Sequence, residues 1–440
     1  MKVITRIPPS PTGHLHIGTA RTALFNYLFA RKSNGKVLYR SEDTDKERSK
    51  RNFEEEIVKG LQDLGIVWEN ANSVVRQSER HKIYKTYLLK AIDDNLVYVS
   101  REPSIQDETV MVEVVRLKNP NKQIVFKDLV RGDITFDTTE LGDFVIARSI
   151  DDALYHFTVV VDDHEMGVTH VIRGEDHISN TPRQILIQEV LGFQRPEYAH
   201  LPLILAPDRS KMSKRHGAIS VNEYIEKGYL PSALINYLAL LGWNPGTDQE
   251  VFSLEELVNV FDLSEVQKSG AIFNEEKLQW LNKEHLNRMT DSEYVAYVAK
   301  WLPEHIDTSN RRFQRLLPSL RERVTLGNEV SSLFESGDFS FVFSEPKFEN
   351  DLLKWKNDIS VSDVFPRLQH CLKVLPASDF SSVSNIKDSL WSYAEEIGKG
   401  ELLWPLRIAL TGLERSPDPF TCLFILGKEE SLKRIGAVVE

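Results

Sequence analysis

Hydrophobic residues follow different spacings in the two halves of this chain. In the first half, short apolar runs alternate with stretches of helical period. Val3 to Ile7 reads as a buried strand that runs into a Pro/Gly loop. Thr19 to Arg31 then carries Ala20, Leu24, Leu28 and Ala30 near helical spacing, with Gly35 placed to stop the helix. Lys36 to Arg40 alternates like a strand, and Phe53 to Leu64 predicts a helix with Ile57, Leu61 and Leu64 on one face and Gly65 as its stop. Strand, helix, strand, helix is the opening of a parallel α/β sheet. From about residue 97 to 147 the pattern changes to Ile124-Val125-Phe126, Ile134-Thr135-Phe136 and Phe144-Val145-Ile146, short β-like runs separated by Gly and Asp turns. This predicts a β-rich insertion between two halves of the sheet.

The α/β pattern resumes with Tyr155 to Val161 and Val168 to Arg173, a helix from about Pro182 to Leu191, and a strand at Leu201 to Leu205. Pro182 suits a first helical turn and Gly192 a helix end. Beyond about residue 211 the spacing is helical almost throughout. Leu230, Leu234, Leu238 and Leu241 form one stripe, and Phe313, Leu316, Leu317 and Leu320 a second. Ile386, Leu390, Tyr393, Ala394 and Ile397 form a third, stopped by Gly398 and Gly400. The expected fold is an α/β Rossmann-type domain with an insertion, followed by an all-α half.

Composition narrows the class. At 440 residues two to four domains are expected, and no apolar run approaches the roughly 20 residues of a membrane helix. Met1 to Arg6 leads straight into a strand, which leaves no room for a signal or transit peptide and predicts a cytoplasmic protein without a membrane partner. Cys371 and Cys422 stand far apart without metal-ligand spacing, so neither disulfide nor zinc is expected. The net charge of -11 argues against a generally basic nucleic-acid coat. It leaves room for salt-sensitive binding through a confined basic face.

Two segments carry candidate chemistry. Pro9-Ser10-Pro11-Thr12-Gly13-His14-Leu15-His16-Ile17-Gly18-Thr19 lies where a strand hands over to a helix, which is where open α/β sheets bind ligands and where a helix N-terminus favours phosphate. Gly13 and Gly18 let backbone approach a ligand, and His16 can donate to phosphate oxygens. Lys211-Met212-Ser213-Lys214-Arg215 follows a later strand, and its lysines suit a departing pyrophosphate. Taken singly, the first is equally a Pro/Gly turn around a satisfied histidine, and the second a solvated basic face. Together, in this order, they read as two halves of a triphosphate clamp.

The first segment, from Arg6 to Thr19, resembles the HIGH region of class I aminoacyl-tRNA synthetases in the form used by glutamyl-tRNA synthetases. Lys211 to Arg215 resembles their KMSKS motif, with Arg215 in the last position. Similar to that family are also Ser41-Glu42-Asp43-Thr44-Asp45, Val160-Val161-Asp162-Asp163, Ile172 to Arg183, Glu276 to Asn282, and Trp404 to Gly412. The likeness covers nearly the whole chain apart from the insertion. It implies a catalytic first half at 1–80, a shortened acceptor-arm-binding insertion at 81–147, and a catalytic second half at 148–206. A stem-contact region with the KMSKS-like loop at 207–290 and a helical anticodon-binding domain at 291–440 would follow.

The resemblance implies glutamate contacts from Arg6, Ser10, Glu42, Tyr155 and Arg173. A pocket for two carboxylates and an ammonium needs fixed cations and one carboxylate, and planar guanidinium groups suit the carboxylates. It implies ATP contacts from His16, Gly18, Asp176, Ile204 and Lys214, with His16, Lys211 and Lys214 stabilising charge during reaction, and magnesium arriving with ATP. The implied reaction has two steps, through glutamyl-adenylate to the tRNA 3′-terminal adenosine, and needs no enzyme nucleophile. Family members usually bind tRNA before activating glutamate, and a monomer is the family expectation. Three alternatives stand beside this: an enzyme that also charges glutamine-specific tRNA, an inactive tRNA-binding paralogue, and a small-molecule nucleotidyltransferase, which leaves the helical half unexplained. The insertion departs from many bacterial members, since Val97-Tyr98-Val99-Ser100-Arg101 holds no cysteine for a zinc segment. Arg116, Lys118 and Lys122 remain candidates for phosphate there. In the helical half, Arg311, Arg312, Arg315, Arg321 and Arg323 form either a tRNA-facing surface or a solvated helix face.

Overall fold

The computed structural model describes residues 2–104, 107, 109–212, 219–356 and 358–439. The chain divides into two compact units, Met1–Asn282 and Lys283–Glu440. The first begins with β1 (Ile4–Ile7), α1 (Ile17–Lys32), β2 (Lys36–Ser41), α2 (Arg51–Asp63), β3 (Val75–Arg76) and α3 (His81–Asp93). Strands β4 (Val97–Pro103), β5 (Met111–Leu117), β6 (Gln123–Asp128), β7 (Gly132–Asp137), β8 (Phe144–Ser149) and β9 (Asp152–Ala153) follow. Then come α4 (Tyr155–Glu165), β10 (His170–Gly174), α5 (Thr181–Leu191), β11 (Glu197–Leu201) and β12 (Ile204–Leu205). The unit closes with α6 (Val221–Glu226), α7 (Pro231–Leu240), α8 (Leu254–Val260), β13 (Ala271–Ile272) and the start of α9 (Glu275–Arg288).

Strands β1, β2 and β3 pair in parallel in that order, and β10 pairs in parallel with β11. The two groups join beside β1, where the Thr169 N–H donates to the Ile4 carbonyl at 2.9 Å and the Ile4 N–H to Thr169 Oγ1 at 2.8 Å. The sheet order is therefore β3-β2-β1-β10-β11, with connections leaving β1 and β10 towards opposite edges. Such a switch point opens a crevice at the carboxyl ends of the two strands. Helix α1 lies against this sheet and is buried on nearly every side, through Ile17, Ala20, Leu24, Phe25 and Leu28. The predicted stripe Leu230, Leu234, Leu238 and Leu241 is buried on and beside α7.

The insertion is β-rich as the sequence predicts, but it is built in two parts. Strands β4, β5, β8 and β9 form an antiparallel sheet. The hairpin β6–β7 instead extends the parallel sheet, because Asp128 pairs with Tyr198 of β11. Phe126 packs edge-on against Tyr198 at 5.7 Å, and both belong to one core with α3, α4 and α5. The strand expected at Leu201 to Leu205 is broken: β11 stops at Leu201 and β12 pairs with β13. Pro202 has no N–H with which to continue the ladder.

Every regular element among the described residues of the second unit is helical: α10 (Asp291–Val298), α11 (Arg311–Arg323), α12 (Gly327–Glu335), α13 (Ser340–Phe343), α14 (Phe365–Val374), α15 (Val383–Ile397), α16 (Lys399–Thr411), α17 (Pro419–Leu426) and α18 (Lys428–Val439), with short 3-10 turns. Phe313, Leu316, Leu317 and Leu320 of α11, and Ile386, Leu390 and Ala394 of α15, face its core as the spacing predicts. The five arginines near α11 do not share one role. Arg312 pairs with Glu430 at 2.9 Å and Arg323 with Asp338 at 3.4 Å. Arg321 donates to the carbonyls of Leu286, Met289 and Thr290, satisfying groups at the end of α9, while Arg311 is exposed.

Candidate active site

The crevice beside β1 and β10 is a cavity of about 800 Å³. All five expected glutamate residues line it: Arg6, Ser10, Glu42, Tyr155 and Arg173. So do His16, Gly18, Asp176, Ile204 and Lys211. Lys214 and Arg215 lie outside the described residues. The fold brings these positions together because they end different strands or open the helices that follow. Arg6 is in β1, Glu42 follows β2, Arg173 is in β10, and Tyr155 opens α4.

His16 is the N-cap of α1, extended at φ -86° and ψ 154°, with no side-chain cap and no acidic residue in the first turn. The first-turn N–H groups and the positive end of the helix are thus left for a ligand. A Cβ added at Gly13 or Gly18 would meet no protein atom within 4 Å. The glycines leave cavity space open rather than relieving a clash, which is the form a phosphate cradle takes.

Arg6 and Glu42 of the cavity lining belong to a linked group of buried charges. Arg6 Nε donates to Asp163 Oδ1 at 3.3 Å. Arg40, wholly buried, donates to Asp163 at 2.7 Å and to Glu42 at 2.7 Å. Asp162 in turn accepts from Gln77 at 2.9 Å, Arg80 at 2.7 Å and Tyr84 at 2.8 Å. Burial pushes the Glu42 carboxyl above its ordinary range, against the pull of Arg40 and Arg6. Burial acts on Asp163 in the same sense, but Arg6 and Arg40 outweigh it and hold that carboxyl down. Two neighbouring acids are thus set apart by how many guanidinium groups each touches.

Arg173 is held differently. Its Nη1 donates to Gln184 Oε1 at 2.8 Å, its Nη2 to Thr181 Oγ1 at 2.8 Å, and its Nε to His200 Nε2 at 3.2 Å. Among the described residues none of its ion-pair or hydrogen-bond partners is a carboxylate. His200 and Asp128, both fully buried, meet at 2.6 Å between Nδ1 and Oδ2. Glu175 accepts from the Leu203 N–H at 2.7 Å and pairs with Arg131. Tyr155 lines the same cavity, its phenol pushed up to about 12 by burial and by Glu42, so it stays protonated near neutral pH.

At the part of the cavity where the ATP candidates lie, the Met212 N–H donates to the Ile204 carbonyl at 3.2 Å, and Lys211 Nζ stands 3.6 Å from Asp176 Oδ2. Past the undescribed residues, Ser220 bridges to His16 and the Val221 N–H donates to the Leu15 carbonyl at 2.9 Å. Both flanks of the lysine-bearing segment are therefore tied to the cavity wall. Arg21, also in the wall, donates to the carbonyls of Pro202 and Leu241, and burial lowers it to about 10, so it stays cationic near neutral pH. No group of three or more His, Cys, Asp or Glu converges as a metal site among the described residues.

Arg40, His200, Asp128 and Arg21 escape sequence reasoning, and Asp163 enters it only as part of a segment similar to the family, without a role. The available signal was a charged residue inside an apolar run, as in Val37-Leu38-Tyr39-Arg40 and Tyr198-Ala199-His200-Leu201. Such residues are rarely buried without a partner, but which partner is a question of tertiary contact.

Comparison with known proteins agrees with this geometry. The catalytic domain family of class I tRNA synthetases (E and Q) matches residues 2–110 and 104–280, and an anticodon binding domain matches 293–439. A glutamate–tRNA ligase of Carboxydothermus hydrogenoformans is 40% identical, covering 98% of this chain and 99% of its own. One of Aquifex aeolicus is 39% identical, covering 100% and 99%. The crystal structure of a glutamate tRNA ligase from Elizabethkingia meningosepticum, in complex with its amino acid, superposes with a TM-score of 0.84 at 30% identity, covering 100% of this chain and 99% of that one. A switch-point cavity with a bare helix N-terminus, a helical second unit and full-length likeness to such enzymes agree: the chain belongs to the glutamyl-tRNA synthetase family of class I aminoacyl-tRNA synthetases.

Proposed function

We propose that this protein attaches L-glutamate to tRNA at the expense of ATP. In the first step a glutamate α-carboxylate oxygen attacks the α-phosphorus of ATP. The bond to the β-phosphate breaks and pyrophosphate leaves. In the second step the 2′-hydroxyl of the terminal adenosine attacks the activated carbonyl and AMP leaves. Neither step needs a protein nucleophile; positioning and charge stabilisation carry both.

The observation that carries this reading is the charge balance of the cavity. Arg6 and Arg40 share Asp163, and Glu42 is held by Arg40. Arg173 alone of these guanidinium groups has only neutral partners among the described residues. A substrate bringing a side-chain carboxylate to Arg173 and an ammonium to Glu42 completes the balance, whereas a carboxamide leaves Arg173 uncompensated. Tyr155 and Ser10 border the same end. His16, Gly18 and the α1 N-terminus take the triphosphate, Asp176 and the backbone at Ile204 the nucleoside, and Lys211 and Lys214 the departing pyrophosphate. Magnesium is carried in on the triphosphate oxygens, in keeping with its reluctance to enter protein cages. We take the enzyme to be a cytoplasmic monomer.

ATP–pyrophosphate exchange with glutamate, with and without tRNA, tests the assignment. Exchange that depends on glutamate and is raised by tRNA is expected; none under either condition overturns it. Charging of purified glutamate-specific and glutamine-specific tRNA then reads the tRNA choice.

A further inference from the structure

We propose that His200 and Asp128 are positioning residues for Arg173, presenting its guanidinium with undiminished charge to the substrate's side-chain carboxylate. The inference rests on the glutamate-site reading above and deepens it. His200 Nε2 can accept from Arg173 Nε–H, at 3.2 Å, only when the ring proton is on Nδ1. Asp128 fixes that tautomer: its Oδ2 takes the Nδ1–H at 2.6 Å, and both side chains are fully buried. Asp128 is itself held, because its Oδ1 accepts from the Val130 N–H at 3.0 Å and the Arg131 N–H at 2.8 Å. The chain Asp128–His200–Arg173 thus starts at the end of β6, beside the β6–β7 turn, and ends at the proposed glutamate pocket.

The choice of a neutral acceptor has a consequence. A carboxylate touching Arg173 would orient the guanidinium equally well but would cancel its charge before substrate arrives. An imidazole one bond removed from Asp128 orients it and leaves the charge for the ligand. Gln184 and Thr181 hold the other edge with neutral oxygens, to the same effect. Burial disfavours protonation of His200, which keeps the acceptor lone pair available. With Asp128→Asn the amide can donate to Nδ1, the proton moves to Nε2, and the ring then donates towards Thr181 Oγ1, 3.1 Å away, and no longer offers Arg173 a lone pair.

The experiment measures KM for glutamate and for ATP separately in tRNA-supported exchange, with the full chain. Arg173→Lys comes first: an unchanged glutamate KM overturns the glutamate-site reading itself. Given a raised KM there, Asp128→Asn is expected to raise glutamate KM about tenfold, the worth of one hydrogen bond to a charged group, while ATP KM and the melting temperature move little. His200→Asn, too short to reach Arg173, should do the same, and His200→Gln, whose amide oxygen reaches the position of Nε2, should recover most of the loss. Nitrogen-15 spectra of the histidine rings should report an Nδ1–H tautomer for His200 that shifts in Asp128→Asn. If Asp128→Asn folds and shifts the tautomer without moving glutamate KM, or if His200→Asn and His200→Gln behave alike, the inference is wrong. If Asp128→Asn does not fold, the His200 pair decides alone.

Discussion

Arg40 Nη2 donates to Glu42 Oε1 at 2.7 Å, two residues apart along one strand end, with the arginine wholly enclosed. The acid proposed to hold the substrate ammonium is therefore itself aimed and tethered by a buried guanidinium. Asp163 takes the other edge of the same guanidinium at 2.7 Å. Arg40→Met strands the buried Glu42 carboxylate and leaves Asp163 with Arg6 alone, and breaking a buried pair in this way costs about 3–5 kcal/mol. Urea unfolding of the full chain should show that loss in the transition of the first unit, and a loss below about 1 kcal/mol contradicts the assigned role.

The raised Glu42 carboxyl sets a pH dependence for substrate binding. Burial favours its neutral form, so it takes up a proton at a higher pH than an ordinary glutamate. A neutral Glu42 cannot hold an ammonium. Glutamate KM should rise as pH falls, while ATP KM should not follow it. Glu42→Gln should raise glutamate KM near neutrality and flatten the profile; a parallel slope in the variant would assign the titration to another group.

Acid should destabilise the first unit earlier than carboxylates alone would cause. Burial lowers His156 to about 4, and His170, His177 and His200 are lowered as well. Between the ordinary histidine value of about 6.5 and these lower values, the unfolded chain binds protons that the folded chain does not, so stability falls with pH across that window. Melting temperatures from pH 7.5 to 4.5 measure it. His156→Phe should shallow the decline, and a wild-type curve flat from pH 7 to 5 is the opposing result.

Gly18→Ala separates fold from ligand fit. The added methyl meets no protein atom, and alanine is the better helix former by up to about 1 kcal/mol. Stability should hold or improve. The methyl enters the cavity where phosphate is expected, so ATP KM should rise about tenfold or more as the nucleotide is displaced. An unchanged ATP KM would move the phosphates elsewhere.

Two arginines of the helical unit should respond in opposite ways. Arg321 is spent on three backbone carbonyls and lies 4.2 Å from the Tyr294 ring centroid. Arg321→Ala should lower the unit's stability by about 2 kcal/mol and leave the salt dependence of tRNA binding unchanged. Exposed Arg311, changed to Ala, should leave stability intact and reduce the salt slope of tRNA binding by about 1, and an unchanged slope makes it a solvated residue. Fluorescence titrations at three salt concentrations, beside melting curves, distinguish the two.

Much of this protein follows from local patterns. The strand–helix opening, the β-rich middle, the helical second half and the three apolar stripes are matters of side-chain periodicity, and periodicity is written along the chain. The glutamate and ATP candidates came from the family resemblance, and local pattern agreed with it: Arg6, His16, Gly18, Glu42 and Arg173 lie at strand ends or helix starts, where a parallel sheet gathers its ligand contacts. The tertiary structure decided the rest. That β6–β7 joins the parallel sheet, that Pro202 splits a strand, and that Arg321 is held by three backbone carbonyls depend on neighbours distant in sequence. So does the difference between Arg6, shared with Asp163, and Arg173, held by Gln184, Thr181 and His200. A guanidinium's charge is evident from its residue name, but whether that charge is already compensated depends on which partners folding brings within about 3 Å.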